Sequence, residues 1–154
     1  MIIQIMSRRA AARAIRLDPD YPIIAIGETY NNDVDEMITS VAKNCLCLKF
    51  EDIEHERVGY DTAKEDHIRQ AIEWAKDKDK LIVACRAGIS RSSAIAYLVA
   101  SSKFGPQEAV KILNMEIHQP NRLVVSLGAK VLGSEKINEV LDDWMKDLYS
   151  KFLS

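Results

Sequence analysis

Four short apolar runs limit what this 154-residue chain can fold into: IIQIM at 2–6, IIAI at 23–26, CLCLKF at 45–50 and LIVAC at 81–85. A strand with one solvated face alternates apolar and polar residues. These runs are continuous, which predicts a parallel sheet covered on both faces. The segments between them have helical character. Residues 8–17 are rich in Ala and Arg, and 62–77 place Ile68, Ala71, Ile72 and Ala75 on one stripe. Gly105–Pro106 reads as the end of one helix and the start of another, and 121–132 predict a further helix. From Ser134, a plausible cap, Ile137, Val140, Leu141, Trp144, Met145, Leu148 and Phe152 recur at three- and four-residue spacing. Strand–helix alternation followed by helices predicts one α/β domain with a helical cluster at its C-terminal end.

Charge and cysteine usage exclude several classes of function. The formal charge of −2 gives no global attraction to nucleic acid or to an anionic membrane. The three cysteines are odd in number and too few for a disulfide scaffold, so reduced thiols in a cytoplasmic protein are expected. Cys45 and Cys47 are expected to face opposite sides of their strand and not to pair. No apolar run approaches the roughly 20 residues of a membrane span. The N-terminal MIIQIMSRRAAARAI puts its arginines after a short apolar run, the reverse of a secretory signal.

In a parallel α/β sheet, ligands bind beyond the carboxyl ends of the strands. Those ends fall here at 7–9, 27–30, 51–54 and 85–91, and the last two carry the most chemistry. In CRAGISRS, a strand delivers Cys85, five residues turn the chain, and a helix begins near Ser90. A loop this tight, with Gly88 in it, can turn backbone N–H groups inward as an anion nest, and the helix adds the positive end of its dipole. Arg91 can grip two phosphate oxygens with its planar guanidinium. The same field favours the thiolate of Cys85, a nucleophile aimed at phosphorus. Ser92 can donate its hydroxyl to that sulfur. A leaving alcohol or phenol then needs an acid. Glu51, Asp52 and Glu54 are available after the third run; Asp52 is preferred, because it lies just past the strand end and so over the neighbouring strand's loop. Glu54 and Asp61 are the alternatives.

These residues resemble the signature loop of the cysteine-dependent protein tyrosine and dual-specificity phosphatases: cysteine, five residues, arginine, then serine or threonine. An aspartate about thirty residues before the cysteine also fits that family. GPQEAVKILN and QPNRLVVSLGAKVLG resemble the following helices and Pro-Asn turn of its small microbial members. The similarity spans roughly residues 2–133, with 134–153 an appended amphipathic helix. It implies a three-layer α/β/α fold with about four mainly parallel strands. By that resemblance Cys85 forms a phosphocysteine and Arg91 binds the phosphoryl group. Backbone amides of Arg86, Ala87, Gly88, Ile89, Ser90 and Arg91 take its oxygens, Asp52 is general acid and then base, and Ser92 assists hydrolysis. Asn121 braces the loop from behind. The implied substrate is a phosphorylated protein or small phosphate monoester, with no metal or organic cofactor.

One departure stands next to the nucleophile. Ala84 occupies the position where the family usually has a histidine that bonds to the loop. The expectation is a less tightly ordered loop and weakened rather than abolished catalysis. Two rival functions follow. One is a module that holds phosphorylated ligands without turning them over. The other is thiol chemistry of the sulfurtransferase or arsenate reductase kind, which for arsenate needs a redox cysteine near Cys85. Arg8 and Arg9, at a strand's carboxyl end, could meet an anionic substrate or simply open a solvated helix. His55, His67 and His118 show no metal-ligand spacing and are expected on the surface or on helices. Trp74 and Trp144 are expected to serve packing.

Overall fold

A computed structural model describes residues 1–30 and 33–153. The four apolar runs form β1 (Ile2–Ser7), β2 (Ile23–Gly27), β3 (Cys45–Lys49) and β4 (Lys80–Cys85). They pair in parallel as one sheet in the order β1-β4-β2-β3. Their lack of alternation has the expected cause, because helices cover both faces. Ile24, Ile26, Leu48, Leu81, Val83 and Cys85 enter one core cluster, while Ile23, Ala25, Ile82 and Ala84 enter the other.

The smaller cluster lies under α1 (Arg8–Leu17) and α2 (Asp33–Thr39), through Ala11, Ala12, Ile15 and Ile38. The larger is covered by α3 (Glu65–Ala75), α4 (Arg91–Phe104), α5 (Pro106–Ala109), α6 (Arg122–Leu132) and α7 (Lys136–Leu153). The architecture is a three-layer α/β/α sandwich. α4 is buried along its length from Arg91 to Ser101, because sheet, α3 and α6 surround it. That explains its apolar character all round rather than on a stripe. Gly128 of α6 lets the two helices meet, since a Cβ there would lie 2.2 Å from a methyl carbon of Leu98.

Several expectations change. α2 was not predicted: its few apolar residues give no long periodic stripe. The last helix begins at Lys136, two residues beyond the expected cap Ser134. It buries Ile137, Leu141 and Trp144 in the main core, and the Tyr97 hydroxyl donates to the Ile137 carbonyl at 2.7 Å. The side chain of Phe152 lies outside the described residues. Cys45 and Cys47 do not face apart: residues two apart in a strand share a face, and their sulfurs lie 3.7 Å from each other. Finally, β2 separates β3 from β4, so the loop after β3 is not beside the Cys85 loop by strand adjacency. Among the described residues no helix is long and apolar enough to cross a membrane.

Candidate active site

β4 is interior to the sheet, so the loop that leaves it at Cys85 emerges between the ends of β1 and β2. The turn depends on Gly88, whose φ is +71°. A Cβ on it would sit 2.5 Å from the Ser7 amide nitrogen and 2.6 Å from the Met6 carbonyl carbon, both backbone atoms that cannot step aside. The loop is anchored from behind, where the Ile89 carbonyl accepts from the Gln119 amide at 3.0 Å and the Ser90 carbonyl from the Asn121 amide at 3.1 Å. Among the described residues no backbone carbonyl accepts from the amides of residues 86 to 90. The loop, together with the start of α4, can therefore offer those N–H groups to an anion. It opens into a cavity of about 720 Å³ whose lining includes Cys85, Arg86, Ala87, Ile89, Ser90 and Arg91.

Cys85 is 3 % exposed and forms part of the cavity floor. Its Sγ–H donates to the Ser92 hydroxyl oxygen at 3.1 Å. In the thiolate the direction reverses and Ser92 donates. Arg91 is almost wholly buried, and its position is set by two acceptors. One guanidinium nitrogen donates to the Phe50 carbonyl at 2.9 Å, and another to Glu28 at 2.9 Å. Its Nε has no protein partner, although it is buried. An oxyanion in the cavity can take that donor, and an unsatisfied buried N–H is costly enough to favour one.

Glu28, just past β2, was not singled out by sequence reasoning. Its second oxygen accepts from Arg8 at 3.1 Å, so the carboxylate bridges two buried arginines. Burial opposes its ionisation, but the hydrogen bond and charge of Arg91 and the charge and hydrogen bond of Arg8 outweigh it. The carboxyl is held below the usual range. Arg8 is thereby committed: it also donates to the Ile26 carbonyl at 3.2 Å and does not line the cavity, while Arg9 is exposed. The only sequence signal for Glu28 was an acid at a strand's carboxyl end.

Asp52 reaches the Cys85 loop although a strand intervenes, because the chain after β3 runs back across the end of β2. The Phe50 amide donates to the Gly27 carbonyl at 3.0 Å, and the Phe50 carbonyl then receives Arg91. Asp52 Oδ1 accepts from the Ser90 hydroxyl and from Asn121 Nδ2, each at 2.8 Å. Asn121 is fully buried and does more than brace the loop. Its amide also reaches the Ile53 carbonyl at 3.3 Å, and its Oδ1 caps α6 by accepting from the Val124 amide at 3.1 Å. Asp52 and Glu54 line the cavity, as does Glu51, whose Oε2 is buried without a partner. Asp61 does not; it accepts from the Thr29 hydroxyl at 2.6 Å.

Other candidates lie elsewhere. Cys45 packs with the α1–α2 cluster and Cys85 with the opposite one, so the sheet stands between Cys85 and the pair formed by Cys45 and Cys47. A resolving thiol for Cys85 is therefore lacking among the described residues, which removes the support for arsenate reduction. His118 is buried rather than on the surface, and its Nδ1 accepts from the Asn114 amide; burial lowers its pKa. His67 Nδ1 accepts from the Lys64 amide at the start of α3. Trp144 is buried in the core, and Trp74 packs at its edge.

No family model matches the sequence, and no curated protein matches it. Solved structures do. The fold superposes on PTPMT1 in complex with PI(5)P with a TM-score of 0.59 at 13 % identity, covering 90 % of this chain and 93 % of that one. DUSP15 gives 0.59 at 17 % identity, covering 92 % and 90 %. Human tyrosine phosphatase-like serine/threonine/tyrosine-interacting protein gives 0.59 at 18 % identity, covering 82 % and 83 %. The chain has the fold of the protein tyrosine and dual-specificity phosphatases.

Proposed function

We propose that the protein hydrolyses phosphate monoesters through a phosphocysteine intermediate, with phosphotyrosine, and also phosphoserine or phosphothreonine, in proteins as substrates. The observation that carries this reading is that Cys85, Arg91 and Asp52 line a single cavity. The phosphoryl oxygens take the amides of residues 86–91 and the Arg91 guanidinium. The Cys85 thiolate attacks phosphorus, the P–O bond to the alcohol or phenol breaks, and Asp52 gives its proton to the departing oxygen. Asp52, now a carboxylate, takes a proton from water as that water attacks phosphorus. The P–S bond breaks, inorganic phosphate leaves, and the Ser92 hydroxyl donates to the departing sulfur. Because Oδ1 of Asp52 accepts two hydrogen bonds, Oδ2 is the oxygen that carries the transferred proton. Tyr30, Tyr60, Ile53 and Ile89 around the cavity offer apolar surface to an aryl group.

A second reading has one observation in its favour. Ala84 is buried between Met6 and Ala25 and offers the loop no side-chain donor. A phosphate-binding module without turnover is the outcome if that donor is indispensable. Steady-state hydrolysis of an aryl phosphate by the native protein and by Cys85→Ser separates the two. Turnover that Cys85→Ser abolishes supports the enzyme. Phosphopeptide binding without turnover by the native protein supports the module.

A further inference from the structure

Cys45 and Cys47 occupy the start of β3, an edge strand, and share one of its faces. Cys45 is half-buried and Cys47 exposed, and their sulfurs are in van der Waals contact at 3.7 Å. The hydrolytic mechanism uses neither, and the sheet keeps both from Cys85.

We propose that Cys45 and Cys47 form a two-thiolate site for a soft, thiophilic metal ion of the copper(I) kind. Paired thiolates select soft ions. A structural zinc site needs four protein ligands, and among the described residues no group of three or more His, Cys, Asp or Glu side chains is placed to hold a metal. A two-coordinate ion needs only these two sulfurs, which part from 3.7 Å toward a linear S–metal–S arrangement as it binds. Binding releases two protons to solvent, makes two metal–sulfur bonds and changes no oxidation state. The rival fate, a disulfide, requires the sulfurs to close from 3.7 Å to about 2.05 Å along an extended strand and an external oxidant.

The test is anaerobic copper(I) titration of the full chain against a chromophoric copper(I) chelator, in a Cys85→Ser background that removes the competing thiol. One ion per chain is expected, bound more than about 100-fold more tightly than in Cys45→Ser or Cys47→Ser on the same background. Circular dichroism of each variant reports folding independently. X-ray absorption at the copper edge of the loaded Cys85→Ser protein is expected to show two sulfur neighbours. Equal affinity in the single variants, complete withdrawal of copper by the chelator, or one sulfur neighbour overturns the proposal. So does isolation of a Cys45–Cys47 disulfide that forms with glutathione disulfide in a protein that binds no copper.

Discussion

Asp52 illustrates how much of a site a single residue's surroundings decide. Its place after a strand was readable from the order of residues. Its two donors were not, because Ser90 is 38 positions away and Asn121 69. Only the folded chain brings them together. If Asp52 protonates the leaving group, Asp52→Asn lowers turnover of an alkyl phosphate by about 10²–10⁴-fold and of an activated aryl phosphate by much less. Rates measured across a series of leaving groups check this; an equal loss for every leaving group moves the role to Glu54. Asn121→Ala is expected to show the same leaving-group pattern in weaker form, and to cost about 1 kcal/mol of stability from the lost α6 cap. Chemical denaturation read alongside the kinetics separates the two effects.

At the scale of elements, the four strands were legible because buried parallel strands need apolar residues on both faces. α2 was not, because seven residues with few apolar positions leave no periodic trace. Glu28 was also illegible. Its function depends on β2 lying beside β4 and near α1, and strand order is not written in any local pattern. The Arg8–Glu28–Arg91 bridge ties the starts of α1 and α4 to the end of β2. Glu28→Gln leaves two buried guanidinium groups without their counter-charge and is expected to destabilise the fold by about 3–5 kcal/mol. The pH dependence has a definite sign. Because the folded carboxyl titrates below its unfolded value of 4.5, its stabilisation is present above that pH and is lost as the pH falls through the folded value. Thermal melts at pH 7 and in that acidic window are expected to converge between native protein and Glu28→Gln as the pH drops. Gly88→Ala meets both a positive φ and three backbone atoms, and is expected to cost at least about 2 kcal/mol.

For the whole molecule, the sequence pattern separated a phosphatase-like body from a last helix that looked appended. In the fold α7 packs against α5 and α6, and the Tyr97 hydroxyl of α4 donates to its Ile137 carbonyl. An amphipathic stripe shows that a helix has something to cover but not what, so this could be learned only from the fold. Leu141 is completely buried there, and Leu141→Ala is expected to cost about 2–5 kcal/mol. That corresponds to a fall of roughly 4–20 °C in the melting temperature of one cooperative transition. A small early transition with the main melt unchanged would instead mean that α7 unfolds by itself. Whether Cys85 is the nucleophile is decided by acid-quenching the protein during turnover of an aryl phosphate and mapping covalent phosphate by mass spectrometry. Phosphate is expected on Cys85, accumulating further in proteins slowed at hydrolysis and absent from Cys85→Ser. Continued turnover with no phosphate on Cys85, or with phosphate on another residue, would contradict that role.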